Sequence, residues 1–292
     1  MQTTTTVEGL RGVLDAARVR GESVGFVPTM GYLHAGHESL MDRARSDCGV
    51  VVASIFVNPL QFGVGEDLDA YPRDLDGDSA LATRAGVDVL FVPSVEEMYP
   101  GSVATTVSVA GVSAPMEGAS RPTHFDGVAT VVAKLFNIVG PCRAYFGEKD
   151  FQQLAVIRRM VADLSVPVTV VGCPTLREDD GLARSSRNVY LSPDERAAAP
   201  VLHRALCLGA SLIRAGETDA DTVRAAMAAE IATQALGTLD YVEVADATTL
   251  ERQRECGPDS RLLGAVRFGR ARLIDNVGVE PLDNVVRPPE RD

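Results

Sequence analysis

The residues best suited to chemistry near the start of the chain are two histidines three positions apart, His34 and His37. They are two of the four histidines in 292 residues. They follow an apolar run at 24–27, which predicts a buried strand ending at Pro28 because proline cannot continue a central strand ladder. A glycine-containing loop and a helical pattern come next. Such a junction gathers free backbone N–H groups and the positive end of a helix dipole. The pattern therefore predicts a site for the phosphates of a nucleotide.

The same histidine pair also fits two plainer interpretations. A pair at i, i+3 can be solvated helix surface or half of a metal site. The zinc protease motif H-E-x-x-H, however, needs a glutamate and an i, i+4 spacing. No cysteine lies close enough in sequence to complete an obvious zinc site. The spacing alone leaves the structural and the phosphate interpretations open.

Two amide side chains, Asn58 and Gln61, follow the next apolar run at 50–57. Parallel strands end at one edge of a sheet, so we expect these amides near the same edge as the histidines. Amides orient hydroxyl and carboxylate groups without adding charge. An Asn-Pro turn with an exposed glutamine is the simpler interpretation, and the residues themselves leave both open.

Two later segments supply positive charge. Lys149 comes shortly after a strand-like run at 144–146 and after Gly147, which permits close backbone approach. A lysine ammonium is a compact charge of the kind that phosphate sites use. Ser185 and Arg187 lie in a polar joint, and hydroxyl and guanidinium groups can clamp a pyrophosphate leaving group. A solvated charged loop and a basic hinge remain open alternatives for the two segments.

Acidic residues and one more histidine complete the candidates. Carboxylates alternate at positions 74, 76 and 78, and Asp78 is the one that we expect to approach Mg²⁺ together with a nucleotide. Helix capping and solvated charge explain this pattern equally well. His124, in a polar loop before a predicted helix, is a weaker candidate.

Composition limits the partners. The formal net charge is −12 and the sequence pI is about 4.9, so a basic field for nucleic acid or an anionic membrane is absent, and a polyanionic substrate needs a local positive pocket. No apolar run is long enough for a membrane span, and the N-terminus lacks signal-peptide features. The five cysteines are scattered, which favours free thiols and a reducing cytoplasm. They are Cys48, Cys142, Cys173, Cys207 and Cys256.

The elements that must position these residues alternate between strands and helices over about the first 180 residues. Strands are predicted at 24–27, 50–57, 87–92, 144–146 and 166–171, and helices at 76–85, 128–139 and 151–164. Apolar strands separated by helices imply a parallel sheet covered on both faces, hence a doubly wound, Rossmann-like α/β fold. Ligands of such folds bind beyond the carboxyl ends of the strands. We assign 1–183 to this ligand-binding domain.

A smaller α+β domain is predicted over 184–292, as a lid or a dimerisation element. Ser192, Pro193 and Glu195 form a helix start with a capping box. The predicted elements are helices at 193–214 and 219–235, strands at 241–244, 261–267 and 271–277, a hairpin tip at 269–270, and a disordered end at 288–292.

Several of these motifs together resemble the pantothenate synthetases, or pantoate–β-alanine ligases. The matching stretches, in the family's order and spacing, are 28–37, 56–62, 71–73, 121–127, 146–153 and 185–188. The segment 34–37 looks like the H-x-G-H signature of the wider nucleotidyltransferase superfamily, and 185–187 looks like that superfamily's K-M-S-K-S loop. The amide-bearing loop and G-E-K-D-x-Q-Q narrow the resemblance to the one family.

The resemblance implies a two-step reaction with ATP and Mg²⁺. Pantoate would attack the α-phosphorus of ATP to give pantoyl adenylate and pyrophosphate, and β-alanine would then displace AMP to form pantothenate. The family's ATP-binding positions correspond here to Met30, Gly31, Tyr32, Leu33, His34, Ala35, Gly36, His37, Gly147, Glu148, Lys149, Asp150, Leu176, Arg184, Ser185, Ser186 and Arg187. Its pantoate positions correspond to Gln61 and Gln153, with Gln61 also near β-alanine, and we assign Asn58 to substrate binding with them.

The catalytic residues are expected to offset repulsion between a carboxylate and a polyanion. We assign this work to His34, His37, Lys149, Ser185 and Arg187. His37 would donate a proton or stabilise phosphate, and we prefer the second role because the first step transfers no obligatory proton to pyrophosphate. Arg184 departs from the family's usual methionine, which leaves its side-chain role open. A homodimer is a further expectation from the family.

Two other functions remain open at this point. A nucleotidyltransferase of another kind would keep the nucleotide on its product. A non-catalytic nucleotide-sensing module would bind ATP without turnover. A class I aminoacyl-tRNA synthetase is disfavoured, because the chain is short and acidic and lacks an evident basic region for tRNA.

Overall fold

The computed structural model describes residues 1–63, 68 and 71–279. The chain divides into two compact units. The first comprises Met1–Glu148 and Gln153–Cys173, and the second comprises Lys149–Gln152 and Pro174–Asp292. The boundary predicted after residue 183 therefore differs from this division, because 174–183 packs within the second unit. The prediction for 288–292 lies outside the described residues.

The first unit is built on a six-stranded parallel sheet, which confirms the predicted doubly wound architecture. Its strands are β1 (Gln2–Thr4), β2 (Val24–Thr29), β3 (Val50–Ile55), β4 (Val89–Phe91), β5 (Cys142–Gly147) and β6 (Val168–Cys173). Their order across the sheet is β1-β4-β3-β2-β5-β6. The chain thus moves outward from β2 in one direction and then returns to its other side, so the switch point lies between β2 and β5. Ligands bind at such switch points.

Helices cover this sheet. They are α1 (Val7–Val19), α2 (Ala35–Asp47), α3 (Leu75–Arg84), α4 (Val95–Met98), α5 (Glu117–Ser120), α6 (His124–Val139) and α7 (Phe151–Asp163). Side chains from α2 and α3 share one apolar core with the central strands, with Leu40, Met41, Leu81 and Leu90 among its buried members. Within the described part of the chain, no helix has the length and apolarity of a membrane span.

The prediction that β2 ends at Pro28 is wrong, because the strand continues through this residue to Thr29. The ladder from β2 to β3 continues through Pro28, which is paired with Ser54. The described pairing of β2 with β5 covers Gly25 and Phe26 and ends before the proline. A residue without an N–H is tolerated where the strand has a partner on one side. The short strand β1, which extends the sheet beside β4, was also missed, since three residues carry too little pattern.

In the part that the structure describes, the second unit combines three α-helices with a three-stranded antiparallel sheet of order β7-β8-β9. Its elements are α8 (Pro193–Ala198), α9 (Val201–Arg214), α10 (Ala220–Ala232), β7 (Gly237–Asp246), β8 (Ser260–Phe268) and β9 (Ala271–Gly278). The single helix predicted at 193–214 is wrong, because Pro200 separates α8 from α9. Proline lacks the N–H that a continuous helix needs. The capping box of Ser192 and Glu195 is confirmed, and so is the hairpin between β8 and β9.

Candidate active site

The loop between β2 and α2 has an unusual backbone held by one buried carboxylate. Gly31 and Tyr32 have φ values of +85° and +51°, in the left-handed region that non-glycine residues rarely adopt. Asp78 accepts hydrogen bonds from the N–H groups of Tyr32 at 2.9 Å and Leu33 at 2.6 Å. A Cβ at Gly31 would lie 2.9 Å from the Asp78 carboxylate. The loop shape therefore depends on a glycine and on Asp78.

Asp78 is also the residue that the sequence predicts to approach Mg²⁺. Asp78 is 3% exposed, and burial raises its pKa, while the N–H bonds from Leu33 and Tyr32 act in the opposite direction. Each carboxylate oxygen accepts one backbone N–H. Among the described residues, no group of three or more His, Cys, Asp or Glu side chains is arranged to hold a metal. The magnesium role of Asp78 stays a prediction, and the structure gives this residue a role in shaping the loop.

The two histidines form a capping box at the start of α2. Nδ1 of His34 accepts a hydrogen bond from the N–H of Gly36 at 3.1 Å, and Nδ1 of His37 accepts one from the N–H of His34 at 3.3 Å. The ring centroids are 4.2 Å apart. A nitrogen that accepts carries no proton, so each neutral ring has its proton on Nε2. Both imidazoles therefore lie at the helix start, where the helix dipole favours anions.

A shallow cleft that is open to solvent lies in the first unit at the end of β2. Most of its wall is apolar, with three amide side chains among the lining residues. It is lined by Pro28, Thr29, Phe56, Asn58, Gln61, Val128, Val131, Val132, Leu135, Phe146 and Gln153. An apolar cavity with a few polar groups is typical of a small-molecule site. This one suits a small ligand that has both apolar and hydrogen-bonding groups.

The amide of Asn58 is committed to protein contacts within this cleft. Its Oδ1 accepts a hydrogen bond from the Tyr99 hydroxyl at 2.9 Å, and its Nδ2 donates to the Gly127 carbonyl at 3.1 Å and to Gln61 Oε1 at 3.2 Å. Burial raises the pKa of Tyr99 to about 12, which keeps its hydroxyl protonated as a donor. Asn58 therefore orients Gln61, whose Nε2 lies 3.0 Å from the sulfur of Met30.

Helix α6 also positions Gln61, which local sequence patterns did not reveal. The carbonyl of Gln61 accepts hydrogen bonds from Arg121 at 3.3 Å and from Nδ1 of His124 at 3.0 Å. A Cβ at Gly127 would lie 2.2 Å from the Leu60 carbonyl, so glycine is required for this close approach. His124, the weaker candidate of the sequence, supports the backbone of a cleft residue.

In the second unit, Lys149 belongs to the short segment 149–152. Its Nζ lies 3.6 Å from Asp150 Oδ1, and the side chain is 15% exposed. Its backbone carbonyl accepts a hydrogen bond from Nδ2 of Asn276 on β9 at 2.9 Å. Two residues further on, the ring of Phe151 carries the guanidinium of Arg261, 4.0 Å from the ring centroid. The segment is therefore anchored both at the ammonium-bearing residue and just after it.

The serine- and arginine-containing loop of the second unit is held by local hydrogen bonds. Ser185 Oγ accepts the N–H of Arg187 at 3.3 Å and caps a 3₁₀ helix, Ser186–Tyr190. Arg184, the departure from the family pattern, donates from Nη2 to Glu178 Oε2 at 3.0 Å. Its charge is thus balanced by a neighbouring carboxylate.

The remaining residues predicted for the site lie in the loops and at the ends of the elements already described. Met30 and Ala35 flank the loop and helix start of the histidines, Gly147 closes β5 and Glu148 begins a 3₁₀ turn, and the Leu176 carbonyl accepts the N–H of Arg184. Gln153 joins Asn58 and Gln61 in the cleft. Within the first unit the structure brings these three amides together, and separately the two imidazoles. Within the second unit, Lys149 is held through its carbonyl by Asn276, and Ser185 caps the 3₁₀ helix that follows it.

The parallel sheet is doubly wound and carries H-x-G-H at the start of the helix after β2, which is where the sequence predicts the signature of a nucleotidyltransferase-type α/β protein. The more particular assignment comes from comparison with known proteins. The family model for pantoate–β-alanine ligase matches residues 2–278. The chain belongs to this family, which confirms the resemblance found in its motifs.

Individual relatives agree with this assignment over nearly their whole length. The chain is 54% identical over 283 residues to the pantothenate synthetase of Moorella thermoacetica, covering 97% of this chain and 100% of the relative. A crystal structure of pantothenate synthetase from Thermus thermophilus superimposes with a TM-score of 0.91 at 54% identity, covering 96% of this chain and 100% of the other. The Francisella tularensis pantoate–β-alanine ligase, complexed with β-γ ATP and β-alanine, gives a TM-score of 0.78 at 31% identity, covering 96% and 98% of the two chains.

Proposed function

We propose that this protein joins pantoate to β-alanine with the cleavage of ATP to AMP and pyrophosphate, through a pantoyl-adenylate intermediate. The observation that carries the proposal is the cleft at the end of β2, in a chain that matches the pantoate–β-alanine ligase family over residues 2–278. Pantoate has a carboxylate, two hydroxyls and a carbon bearing two methyl groups. The apolar wall suits the methyl groups, and the amides suit the oxygen atoms.

Gln61 and Gln153 are the side chains that we assign to pantoate. Both line the cleft, and Gln61 is held from its backbone by Arg121 and His124 and from its side chain by Asn58. Such support restricts its orientation, which matters because catalysis depends on holding the carboxylate in line for attack. We place Asn58 behind Gln61 as its support. Gln61 is also our candidate for contact with β-alanine.

In the first step, a carboxylate oxygen of pantoate forms a bond to the α-phosphorus of ATP, and the bond from that phosphorus to pyrophosphate breaks. The reactants are both anionic, so donors and cations must reduce their repulsion. From the first unit, His34 and His37 would donate Nε2–H groups to phosphate oxygens. By the family's positions, we also assign Lys149, Ser185 and Arg187 to the phosphates, as an ammonium, a hydroxyl and a guanidinium. His37 acts in this scheme as a neutral donor, which agrees with its tautomer in the capping box.

In the second step, the amine of β-alanine attacks the acyl carbon of pantoyl adenylate. The new C–N bond forms, the bond from the acyl carbon to the phosphate oxygen of AMP breaks, and the amine proton leaves to solvent. The phosphate donors of the first step then stabilise AMP as the leaving group.

Three further properties belong to this proposal. ATP would enter as its magnesium complex, because Mg²⁺ in such reactions is held largely by substrate phosphates with one or two carboxylates. The sequence predicts Asp78 as a carboxylate for this ion, and its oxygens would have to bind Mg²⁺ in addition to the two loop N–H groups that they already accept. A homodimer and a cytoplasmic location are proposed from the family, and the five free cysteines suit a reducing compartment.

Product analysis with each substrate omitted in turn tests the proposal. With ATP and pantoate but no β-alanine, we expect the release of about one pyrophosphate per enzyme molecule. When β-alanine is added, we expect AMP and pantothenate to form continuously. A product that retains the nucleotide would indicate another kind of nucleotidyltransferase. ATP binding without turnover in the complete mixture would indicate a sensing module.

A further inference from the structure

Strand β9 places two buried polar residues at adjacent positions, Asp275 and Asn276, and each contacts a different segment of the second unit. Asp275 is 5% exposed and Asn276 is 3% exposed. Successive side chains of a strand point to opposite faces of the sheet. Neighbouring residues of one strand can therefore hold two separate segments in a fixed relation to each other.

Asn276 holds the segment that contains Lys149. Its Nδ2 donates to the Lys149 carbonyl at 2.9 Å, and its Oδ1 accepts from Nε of Arg261 at 2.8 Å. Arg261 in turn packs its guanidinium on the Phe151 ring. The amide nitrogen of Asn276 thus binds segment 149–152 directly, and its oxygen binds it through Arg261. Both the nitrogen and the oxygen of this buried amide therefore have hydrogen-bond partners.

Asp275 holds the segment that leads to Ser185 and Arg187. It accepts two hydrogen bonds from Arg177, at 2.6 Å and 3.0 Å, and both side chains are at most 6% exposed. Arg177 also donates to the Asn276 carbonyl at 3.4 Å. Bidentate pairing of this kind fixes the geometry as well as the charge of the guanidinium.

We propose that Asn276, supported by Arg261, is a positioning residue for Lys149 during adenylate formation, and this inference rests on the proposed function. A lysine side chain has four rotatable bonds, so the place where its ammonium can act depends on how firmly its backbone is held. Asn276 acts through the Lys149 carbonyl. A displacement of about 1 Å in a phosphate ligand can lower a rate by up to about 100-fold.

The decisive test is a double-mutant cycle of Asn276→Ala and Lys149→Ala, measured as the single-turnover rate of pyrophosphate release from ATP and pantoate without β-alanine. Asn276→Ala should slow this step about tenfold in the wild-type background and by less than about twofold in the Lys149→Ala background, because its effect passes through the lysine. Thermal unfolding of each variant is recorded in parallel. Equal fold-losses in the two backgrounds, or an unchanged rate for Asn276→Ala, would overturn the proposal.

A second pair of variants covers the case in which Asn276→Ala fails to fold. Arg261→Gln removes the guanidinium that supports Asn276, and Arg272→Gln is its matched control. Arg272 is also on the antiparallel sheet, lies over the Tyr241 ring at 6.0 Å and pairs with Asp240 at 2.6 Å. Arg261→Gln should slow adenylate formation severalfold in the wild-type background alone, and Arg272→Gln should not. Similar losses in the two variants contradict a specific role for Asn276.

The outcome also separates this inference from the proposed function. Wild-type enzyme that releases no pyrophosphate contradicts the proposed reaction itself. If the Lys149→Ala variant is as fast as wild type, the lysine has no role in this step. That result would also contradict a positioning role for Asn276. A slow Lys149→Ala variant with additive loss from Asn276→Ala contradicts the positioning role alone.

Discussion

The two units hold their proposed site residues by different means. In the first unit the histidines are set mainly by local backbone features, namely a strand end, a left-handed loop and a helix cap, with Asp78 as a long-range partner of the loop. In the second unit, Lys149 and the loop following Arg177 are held by side chains of β9 that lie far away in sequence. Asp275 and Arg177 are 98 residues apart. A local backbone device needs few residues, whereas a long-range buried pair exists only once the unit has folded.

This difference predicts that breaking the buried ion pair of the second unit will mainly lower the stability of the protein. Replacing a histidine of the first unit should instead mainly lower the reaction rate. A buried ion pair is costly to break on one side, because the remaining charge has no compensation. A histidine cap at a helix start contributes less to stability, and its Nε2–H takes no part in the cap.

Asp275→Ala should lower the free energy of unfolding by about 3–5 kcal/mol, because it leaves the buried Arg177 guanidinium unpaired. Urea unfolding followed by circular dichroism measures the change. Glu230→Ala is the control, since it removes one partner of the more exposed pair between Arg204 and Glu230, which should cost at most about 1 kcal/mol. A loss below that control value for Asp275→Ala would show that the contrast between the units is wrong.

His37→Ala should lower the rate of adenylate formation about 100-fold or more, near ~3 kcal/mol of transition-state stabilisation, with little change in the unfolding free energy. His37→Gln provides the sharper comparison. Its Oε1 can accept the His34 N–H, as in an ordinary capping box, while its NH₂ donates outward. A neutral-donor role predicts partial recovery of the rate in this variant. A proton-transfer role predicts none, because an amide does not titrate.

Gln61→Ala should raise the KM for pantoate about tenfold, or ~1.4 kcal/mol, because it removes a neutral amide from the cleft. The KM for ATP, measured in the same assay, is the internal control and should change by less than about twofold. Parallel increases in the two constants would place Gln61 outside the pantoate site and would weaken the assignment of the cleft.

Asp78→Asn should remove one of the two hydrogen bonds to the loop at every pH, because an amide has a single acceptor oxygen. Beside that constant loss, its effect on stability should vary slightly with pH. Burial raises the pKa of Asp78 above its ordinary value of 3.8, so the folded protein binds this proton more tightly than the unfolded chain does. Stability associated with the protonated carboxyl is therefore lost as the pH rises from below 3.8 through the folded pKa. The variant does not titrate there, so its stability relative to wild type should increase with pH. Urea unfolding over this range checks the sign, and the opposite slope would contradict it.

Much of the first unit could be predicted because its signals are local. Apolar runs identified five of the six parallel strands, and the strand–loop–helix junction placed His34 and His37 correctly at a helix start. The error at Pro28 arose because a single sequence does not show how many partners a strand has at each residue. The close contact of Gly127 with the 59–61 turn was missed for a similar reason, since a glycine in a helix pattern does not identify what packs against it.

Sequence patterns alone revealed five strands of the parallel sheet, the helix start that carries the two imidazoles and the family to which the chain belongs, because these depend on residues close together or on motifs in a fixed order. The folded structure was needed to show that Asn58 supports Gln61 and that Asp78 shapes the loop. It was also needed to show that Asp275 and Asn276 hold segments of the second unit. Those roles arise from contacts between residues distant in sequence, and the hydrogen bonds that define them form only after the core has brought the segments together.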